Sequence, residues 1–347
     1  MMRHLLLIVS LSMACAADDV ATPAPVLLGE GAYHNQWLHD WAKLPAGITY
    51  GGTHGCVMVD SKDRIYVNTE GKYAVLVFEA NGHFITGWGE EFTKAAHGMC
   101  LVKEGDHEVI WLAHFGLHRV IAFSLDGDVL QSIPWPEQAT AYHSPNDFKP
   151  TSVAVTPNGE VYVADGYGLG WVHRFSAAGV LIHSWNGAEG KAGIFKTPHD
   201  VGIDTRTQPA RVVACDRENH RLQLFSLDGP YLDVVEGLRR PCKAIFHGNV
   251  LIVPDLAGRV TIVDPAYHVV VELGDNPDVA KRANDNVPPD QWKDGEFTAP
   301  HGANEDSLGR GLEHDRAGDQ APEDHLGRTA LPHPGPGWSA SCALELR

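Results

Sequence analysis

Three histidines stand at one constant spacing in this sequence. His199 lies 102 residues after His97, and His301 lies 102 residues after His199. Each follows alanine or proline at the start of a short apolar segment, in "AHGMC", "PHDVGID" and "PHGANED". Three imidazoles that converge and leave a fourth position open are the ligand set of a catalytic zinc ion, which polarises or activates a bound oxygen. The alternative is that each histidine caps its strand or fills the interior through a hydrogen bond.

The segments around these histidines belong to an internal repeat. Its clearest copies begin at Arg64, Val109, Glu160 and Arg211, and a looser copy begins at Asn249. Each copy follows a short first strand and holds three alternating strands separated by Asp, Asn or Gly turns. Four short antiparallel strands in a unit of about 40–50 residues are typical of a propeller blade. Six first strands occur, so the sequence predicts an all-β, six-bladed β-propeller.

The innermost strands of a propeller line its central channel, so equivalent positions face one axis. From blade one to blade six, these positions are His54, His97, Thr151, His199, Cys242 and His301. Alternate blades of a six-bladed ring lie about 120° apart, so the three evenly spaced histidines can meet at one point. We therefore predict a metal centre on His97, His199 and His301. His54 is a fourth candidate that fits a channel-wall residue equally well.

Two further side chains follow second strands, where a loop can face the channel mouth. They are Tyr167 in "ADGYG" and Arg217 in "CDREN". A tyrosine beside a metal can act as a general acid or base, and an arginine can clamp a carboxylate. The alternatives are a packed loop aromatic and a salt bridge between blades. Asp200 stays open between a partner of the histidine site, an ion ligand and a turn residue.

The first residues differ from the repeats. Residues 1–16 contain one arginine, an apolar run and a small-residue triplet, a pattern typical of a secretory signal. A lipid anchor on Cys15 is the alternative. Residues 17–50 form a lead-in segment whose weak pattern could supply a strand to close the ring. No later segment is long and apolar enough for a membrane, so we expect an exported protein, periplasmic or extracellular.

Residues 51–309 carry the repeats, and residues 310–347 do not continue them. After "PHGANEDSLG" the sequence offers no alternating apolar run and is rich in Gly, Pro, Arg and charge. This composition predicts a disordered tail and an incomplete sixth blade. The abrupt change suggests a reading-frame shift or a truncation after about Gly309.

Charge and cysteine content narrow the range of partners. The net charge is −17, from 44 acidic and 27 basic residues, which disfavours a nucleic-acid partner. The chain has six cysteines and no pair at zinc-ribbon spacing. We expect a small-molecule or peptide substrate, with a protein partner on the propeller face as a further alternative.

The strings "VADGY", "TPHDVGID" and "ACDRENHRLQLF" resemble the NHL-repeat propeller of peptidyl-α-hydroxyglycine α-amidating lyase, also called peptidylamidoglycolate lyase. The resemblance extends in phase over about residues 52–307 and is best in blades three and four. It implies a six-bladed zinc enzyme whose three metal histidines match those on blades two, four and six. Its catalytic tyrosine falls on Tyr167 and an active-site arginine falls on Arg217. The implied reaction cleaves the N–C bond of a carbinolamide to an amide and glyoxylate.

The sequence departs from this family at two places. A further substrate-clamping arginine of the family is replaced by Thr69. On blade six the family has His-Asp, whose Asp helps to bind a structural calcium, whereas this chain has His301-Gly302. The His-Asp pair occurs instead at His199-Asp200, so a structural calcium near Asp200 is a further expectation.

Two other functions are consistent with the same pattern. One is a non-catalytic propeller that binds protein or glycan through its channel face. The other is a metal-dependent hydrolase or lactonase, because a fold by itself does not determine the chemistry at its site.

Overall fold

The chain forms a ring of antiparallel β-sheets. The computed structural model describes residues 26–31, 33, 35–42, 44–52, 54, 56–305, 307, 311–315 and 326–329. The predicted signal and Cys15 lie outside the described residues. No helix in the described part is long and apolar enough to cross a membrane.

Two strands precede the first blade, namely β1 (Leu27–Leu28) and β2 (Asn35–Ala42). Five four-stranded blades follow, each with its strands paired in chain order. Blade 1 consists of β3 (Val57–Val59), β4 (Ile65–Asn68), β5 (Val75–Phe78) and β6 (Phe84–Trp88). Blade 2 consists of β7 (Ala96–Glu104), β8 (His107–His114), β9 (Arg119–Ser124) and β10 (Val129–Pro134). Blade 3 consists of β11 (Ser152–Val155), β12 (Val161–Ala164), β13 (Val172–Phe175) and β14 (Leu181–Trp185).

The pattern continues without interruption in the next two blades. Blade 4 consists of β15 (Pro198–Asp204), β16 (Arg211–Asp216), β17 (Arg221–Ser226) and β18 (Tyr231–Val235). Blade 5 consists of β19 (Ile245–His247), β20 (Val250–Asp255), β21 (Arg259–Val263) and β22 (Val269–Leu273). The described loops also contain short 3₁₀ helices at Glu90–Phe92, Pro145–Asp147, Arg217–Asn219, Val279–Lys281 and Pro289–Gln291.

The core lies between the blades. Val77 of blade 1 and Ile110 of blade 2 share one buried cluster, and Val213 of blade 4 and Leu251 of blade 5 share another. Because neighbours cover both faces of a blade, its middle strands are continuous apolar runs such as "VLVF", buried at every position. The outermost strands have one face in solvent, where Ile182 is 48% exposed. This arrangement leaves the inner strand ends to line the channel.

The prediction of six blades is corrected by the structure to five complete blades. The sixth repeat forms only the two-stranded sheet of β23 (Pro300–Glu305) and β24 (Gly311–Asp315). The sequence after it lacks the alternating apolar runs that a third and a fourth strand need. The predicted disorder of residues 310–347 is not confirmed, because β24 and β25 (Leu326–Thr329) are strands and the remainder lies outside the described residues.

A three-stranded sheet of β1, β2 and β25 closes the ring. At one end of β2, Trp37 packs against Phe297 with ring centroids 5.8 Å apart, in the cluster of blade 5. At the other end, Trp41 packs against Phe78 of blade 1 at 6.2 Å. The lead-in segment therefore bridges blade 5 to blade 1, across the position that the incomplete sixth repeat occupies.

Candidate active site

Each of the three predicted metal ligands lies in a β-bulge of an innermost strand. The ladder from β15 to β16 skips His199, the ladder from β23 to β24 skips His301, and the ladder from β7 to β8 skips His97 together with Gly98. A bulge leaves its extra residue unpaired and turns the side chain in a new direction. A register shift at the start of three alternate repeats therefore releases each imidazole from the alternation of its strand.

The bulges bring the three imidazoles together in the channel. The ring centroids of His97 and His199 lie 4.8 Å apart, those of His199 and His301 lie 4.7 Å apart, and those of His97 and His301 lie 5.4 Å apart. Each residue is at most 2% exposed. The predicted triad is thus one buried cluster, built from residues far apart in sequence.

Backbone carbonyls orient two of these rings. Nδ1 of His97 lies 2.6 Å from the carbonyl oxygen of Thr151, and Nδ1 of His199 lies 2.8 Å from that of Cys242. A carbonyl can only accept, so each Nδ1 carries the proton and each Nε2 presents a lone pair, the arrangement of a metal-binding imidazole. Burial, followed by the nearby charge of Arg217, holds the pKa of His199 well below its usual range, so the ring is neutral.

Tyr167 meets the same lone pairs. Its hydroxyl lies 3.2 Å from Nε2 of His97 and 3.3 Å from Nε2 of His199. One hydroxyl proton can be donated to only one of these nitrogens at a time. The loop is fixed by Asp165, whose carboxylate accepts from the backbone N–H of Leu169 at 2.7 Å. Burial raises the pKa of Asp165 to about 6, against the hydrogen bonds that lower it.

Arg217 lies beside Tyr167 at the start of a 3₁₀ helix. Its guanidinium carbon is 5.7 Å from the centroid of the tyrosine ring, and the residue is 8% exposed. Its Nε donates to Oε1 of Glu218 at 2.9 Å, and Arg240 donates to the same oxygen at 2.6 Å. Of the two partners considered for a salt bridge between blades, Asp216 and Glu218, Arg217 pairs with Glu218 inside the same loop, and it is Arg240 that joins Glu218 from the blade 5 side.

Two further groups enlarge the ligand cluster. His54, His97 and His301 form one set of donor atoms within 4.8 Å of one another, and His199, Cys242 and His301 form a second. Nδ1 of His54 is buried and has no hydrogen-bond partner among the described residues. We call His54, His97, His199, Cys242 and His301 the histidine layer.

The donor set of the histidine layer fits zinc. Imidazole nitrogen and thiolate sulfur are the donors that zinc prefers, and tetrahedral ligands at bonds of 2.0–2.1 Å lie about 3.3 Å apart. The repeat alignment places Cys242 at the channel position, but the sequence analysis did not predict it as a metal ligand. Its thiol, a common zinc ligand, could have suggested that role. Burial raises the pKa of the Cys242 thiol to about 11, so a metal would have to displace its proton.

Comparison with known proteins points to one group of enzymes. No family profile matches the chain. It is 28% identical over 235 residues to peptidyl-alpha-hydroxyglycine alpha-amidating lyase 1 of Drosophila melanogaster, covering 60% of this chain and 42% of that protein. It is 33% identical over 142 residues to the probable peptidyl-alpha-hydroxyglycine alpha-amidating lyase of Caenorhabditis elegans, covering 38% of this chain and 36% of that protein. The chain resembles the amidating lyases.

The resemblance covers part of each relative. The chain spans less than half the length of these lyases, and 18% of the peptidyl-glycine alpha-amidating monooxygenase of Mus musculus, to which it is 28% identical over 198 residues. Among solved structures, a streptogramin B lyase superposes with a TM-score of 0.58 at 12% identity, over 87% of this chain and all of that one. At this low identity, the similarity to the streptogramin B lyase shows only that the two chains share the propeller fold.

Thr69, where the resemblance to the amidating lyases implies a second arginine, turns its hydroxyl toward the backbone of its own blade. It is 1% exposed, and its hydroxyl donates to the carbonyl oxygen of Tyr73 at 2.6 Å. It therefore offers no cation to a substrate.

Phe115 is a site residue that the sequence reasoning missed. Its ring centroid lies 5.7 Å from those of His54 and Tyr167 and 6.1 Å from that of His97. It carries no acid, base or ligand atom, so a search for chemistry passes over it. The available signal was its place in the loop after the second strand of blade 2, the counterpart of the loops that hold Tyr167 and Arg217.

Asp200 is not part of the histidine layer. Its carboxylate accepts from the hydroxyl of Ser152, from Nζ of Lys243 at 3.3 Å and from the backbone N–H of Ala244 at 2.9 Å. Burial opposes the charged form of Lys243, but the carboxylate raises the pKa of the lysine above its usual range. Asp200 thus forms a buried ion pair with Lys243, and the expectation that it binds an ion stays a prediction.

Proposed function

We propose that this chain is an exported, zinc-dependent carbon–nitrogen lyase that acts on a peptidyl α-hydroxyglycine or a closely related carbinolamide. The observation that carries the proposal is the Tyr167 hydroxyl, within 3.3 Å of the Nε2 atoms of two histidines in a buried donor cluster. The relatives named as amidating lyases support the reaction type. Export rests on the signal pattern of residues 1–16.

The reaction needs one proton removed and one delivered. When the hydroxyl proton of the carbinolamide leaves, its C–O bond becomes the carbonyl of glyoxylate. The electron pair of the C–N bond goes to the amide nitrogen, which takes up a proton. A zinc ion held by the histidine layer would act as a Lewis acid on the substrate oxygen. Tyr167 would move the proton, a role supported by the contacts of its hydroxyl with the imidazoles of His97 and His199.

Arg217 and Phe115 would bind the substrate. The guanidinium of Arg217 would pair with the carboxylate of the substrate, because its Nε is fixed by Glu218 while the side chain remains beside Tyr167. Phe115 would cover the apolar part of the substrate at the channel mouth. With Thr69 in place of a second arginine, a single clamp holds the carboxylate. We therefore expect weaker substrate binding than in a site with two arginines.

The test is glyoxylate release from a peptidyl α-hydroxyglycine by the zinc-loaded protein. Tyr167→Phe is expected to lower turnover by about 10²–10⁴-fold, the usual contribution of a positioned acid or base, with zinc still bound at the level of the unchanged protein. The matched control is Tyr231→Phe on the outer strand β18, which should change nothing. Absence of glyoxylate at every zinc loading would contradict the lyase and leave a binding propeller or a metal-dependent hydrolase.

A further inference from the structure

A second layer of the channel is formed by the residues that directly follow the channel-facing position of each innermost strand. After the histidine-layer position come Gly98, Ser152, Asp200, Lys243 and Gly302 on blades 2 to 5 and in the sixth repeat. We call Ser152, Asp200 and Lys243 the ion-pair layer. Asp200 is 2% exposed and Lys243 is 9% exposed, so both charges lie inside the ring.

The ammonium group of Lys243 crosses the channel. Its Nζ lies 3.3 Å from Oδ1 of Asp200 on blade 4, and it donates to the carbonyl oxygen of Met99 on blade 2 at 3.1 Å. Ser152 of blade 3 donates to the same carboxylate. One cation and one carboxylate thus tie four consecutive blades together.

A glycine at the same repeat position on blade 2 allows that blade to approach blade 3 closely. Gly98 packs so tightly that an added Cβ would lie 2.4 Å from the carbonyl oxygen of Thr151. The glycine lets blades 2 and 3 approach closely, which brings the carbonyl of Met99 toward the axis. The residue that would carry the family's calcium-binding carboxylate is likewise a glycine, Gly302.

The contacts do not fit the structural calcium that the resemblance implies. Calcium takes six to eight oxygen ligands at about 2.3–2.6 Å. Here both oxygens of Asp200 already accept hydrogen bonds, and the nearby Met99 carbonyl accepts from the ammonium group. A calcium ion in this layer would also stand against a buried positive charge, with one carboxylate to balance both.

We propose that Lys243 is a built-in cation that takes the place of a bound calcium in the channel. The carboxylate partner has moved from blade 6 to blade 4, from the position of Gly302 to Asp200. The channel of this chain then holds its blades together without an ion from solution. This proposal rests on the ion-pair layer and not on the lyase reaction.

The test compares thermal unfolding of the metal-free protein with and without added calcium chloride. The unfolding temperature of the unchanged protein is expected to stay the same. Lys243→Met should lower it by about 10 °C, since the variant leaves a buried carboxylate unpaired. The matched control is Lys103→Met, which removes an exposed lysine of blade 2 and should shift the unfolding temperature by no more than about 1–2 °C.

A second variant keeps the test decisive if Lys243→Met does not fold. Asp200→Asn combined with Lys243→Met removes both charges and is expected to recover most of the lost unfolding temperature. The proposal is overturned if calcium raises the unfolding temperature of the unchanged protein and the rise disappears in Asp200→Asn. It is also overturned if Lys243→Met is as stable as Lys103→Met.

Discussion

His199 and Asp200 are neighbours in β15, yet their side chains enter two different layers of the channel. The imidazole of His199 joins a cluster of nitrogen and sulfur donor atoms in the channel. The carboxylate of Asp200 joins a pair of opposite charges whose hydrogen-bonding groups are occupied from four blades. The donor atoms of the histidine layer could bind a metal ion, whereas both carboxylate oxygens of Asp200 already accept hydrogen bonds from the protein.

The contrast between the two layers shows how a repeat fold can use one channel position for stability and the adjacent position for a candidate binding site. Both layers use adjacent positions of the same strands, so the backbone supplies both with one geometry. At the position of the ion-pair layer, the opposite charges of Lys243 and Asp200 pair with each other. Like donors fill the other position, where backbone carbonyls hold Nδ1 of His97 and His199 and turn the Nε2 atoms of these two rings toward Tyr167 and the channel. Each of the following changes should therefore affect mainly one layer.

The largest effect is expected from Asp200→Ala. Removal of the carboxylate leaves the buried ammonium of Lys243 without a counter-charge, which costs about 3–5 kcal/mol of unfolding free energy. Urea unfolding of the metal-free protein measures this loss. A variant as stable as the unchanged protein would show that Asp200 does not balance a buried charge.

His199→Ala should act on the other layer. We expect zinc affinity to fall by about 100-fold or more, roughly 2.7 kcal/mol, because a ligand held by the carbonyl of Cys242 is lost. The same variant, without metal, should lose less unfolding free energy than Asp200→Ala. Calorimetric titration with zinc and urea unfolding provide the two readings. Full zinc affinity in the variant would remove His199 from the ligand set.

Acid should destabilise the metal-free protein through its buried neutral histidines. Burial lowers the pKa of His114 to about 4 and that of His173 to about 3, from 6.5 when unfolded, and lowers the pKa of His199 as well. Below pH 6.5 the unfolded chain binds more protons, so stability is present above that pH and is lost as pH falls. Each histidine contributes about 1.4 kcal/mol per pH unit until its folded pKa is reached.

The pH dependence is measured by urea unfolding between pH 7.5 and about 4.5. His173→Gln removes one of the three groups and should flatten the slope by one proton. An unchanged slope in that variant would mean that His173 is not a neutral buried histidine.

The smallest effect is expected from Cys242→Ser. Cys242 shares its set of donor atoms with His199 and His301, but the histidines alone already supply three ligands. We expect zinc affinity to fall by about tenfold, and the thiolate-to-metal charge-transfer band of the cobalt-substituted protein to disappear. A cobalt spectrum without that band in the unchanged protein would exclude the thiol as a ligand.

The sequence predicted the histidine layer better than the ion-pair layer for a physical reason. His97, His199 and His301 occupy the same repeat position, so the periodicity alone aligns them on one axis. Ser152, Asp200 and Lys243 also share one repeat position, but they are three different residue types, so the periodicity does not mark them as a set. A lysine and a carboxylate in separate repeats read as solvated charges, and only the folded ring shows that both are buried.

The blade count was missed for a related reason. The sequence marks first strands clearly, because each begins after a small residue or a proline, and six were found. Completion of a blade depends on later strands, and after Gly309 no periodic pattern remains to predict them. β24 and β25 form through pairing with strands that already exist, and such tertiary pairing overrides weak local propensity.

The pairing of β2 with β25 has a consequence for biosynthesis. Every complete blade is a run of local hairpins and can form as soon as its four strands are available. The seal between β2 and β25 joins segments near opposite ends of the chain, so it must form last. Until then β2 can already pack on Phe78 of blade 1 through Trp41, but it lacks its pairing partner β25. A nascent chain therefore passes through an open ring in which one edge of β2 is unpaired, and such an exposed strand edge is what a chaperone would protect.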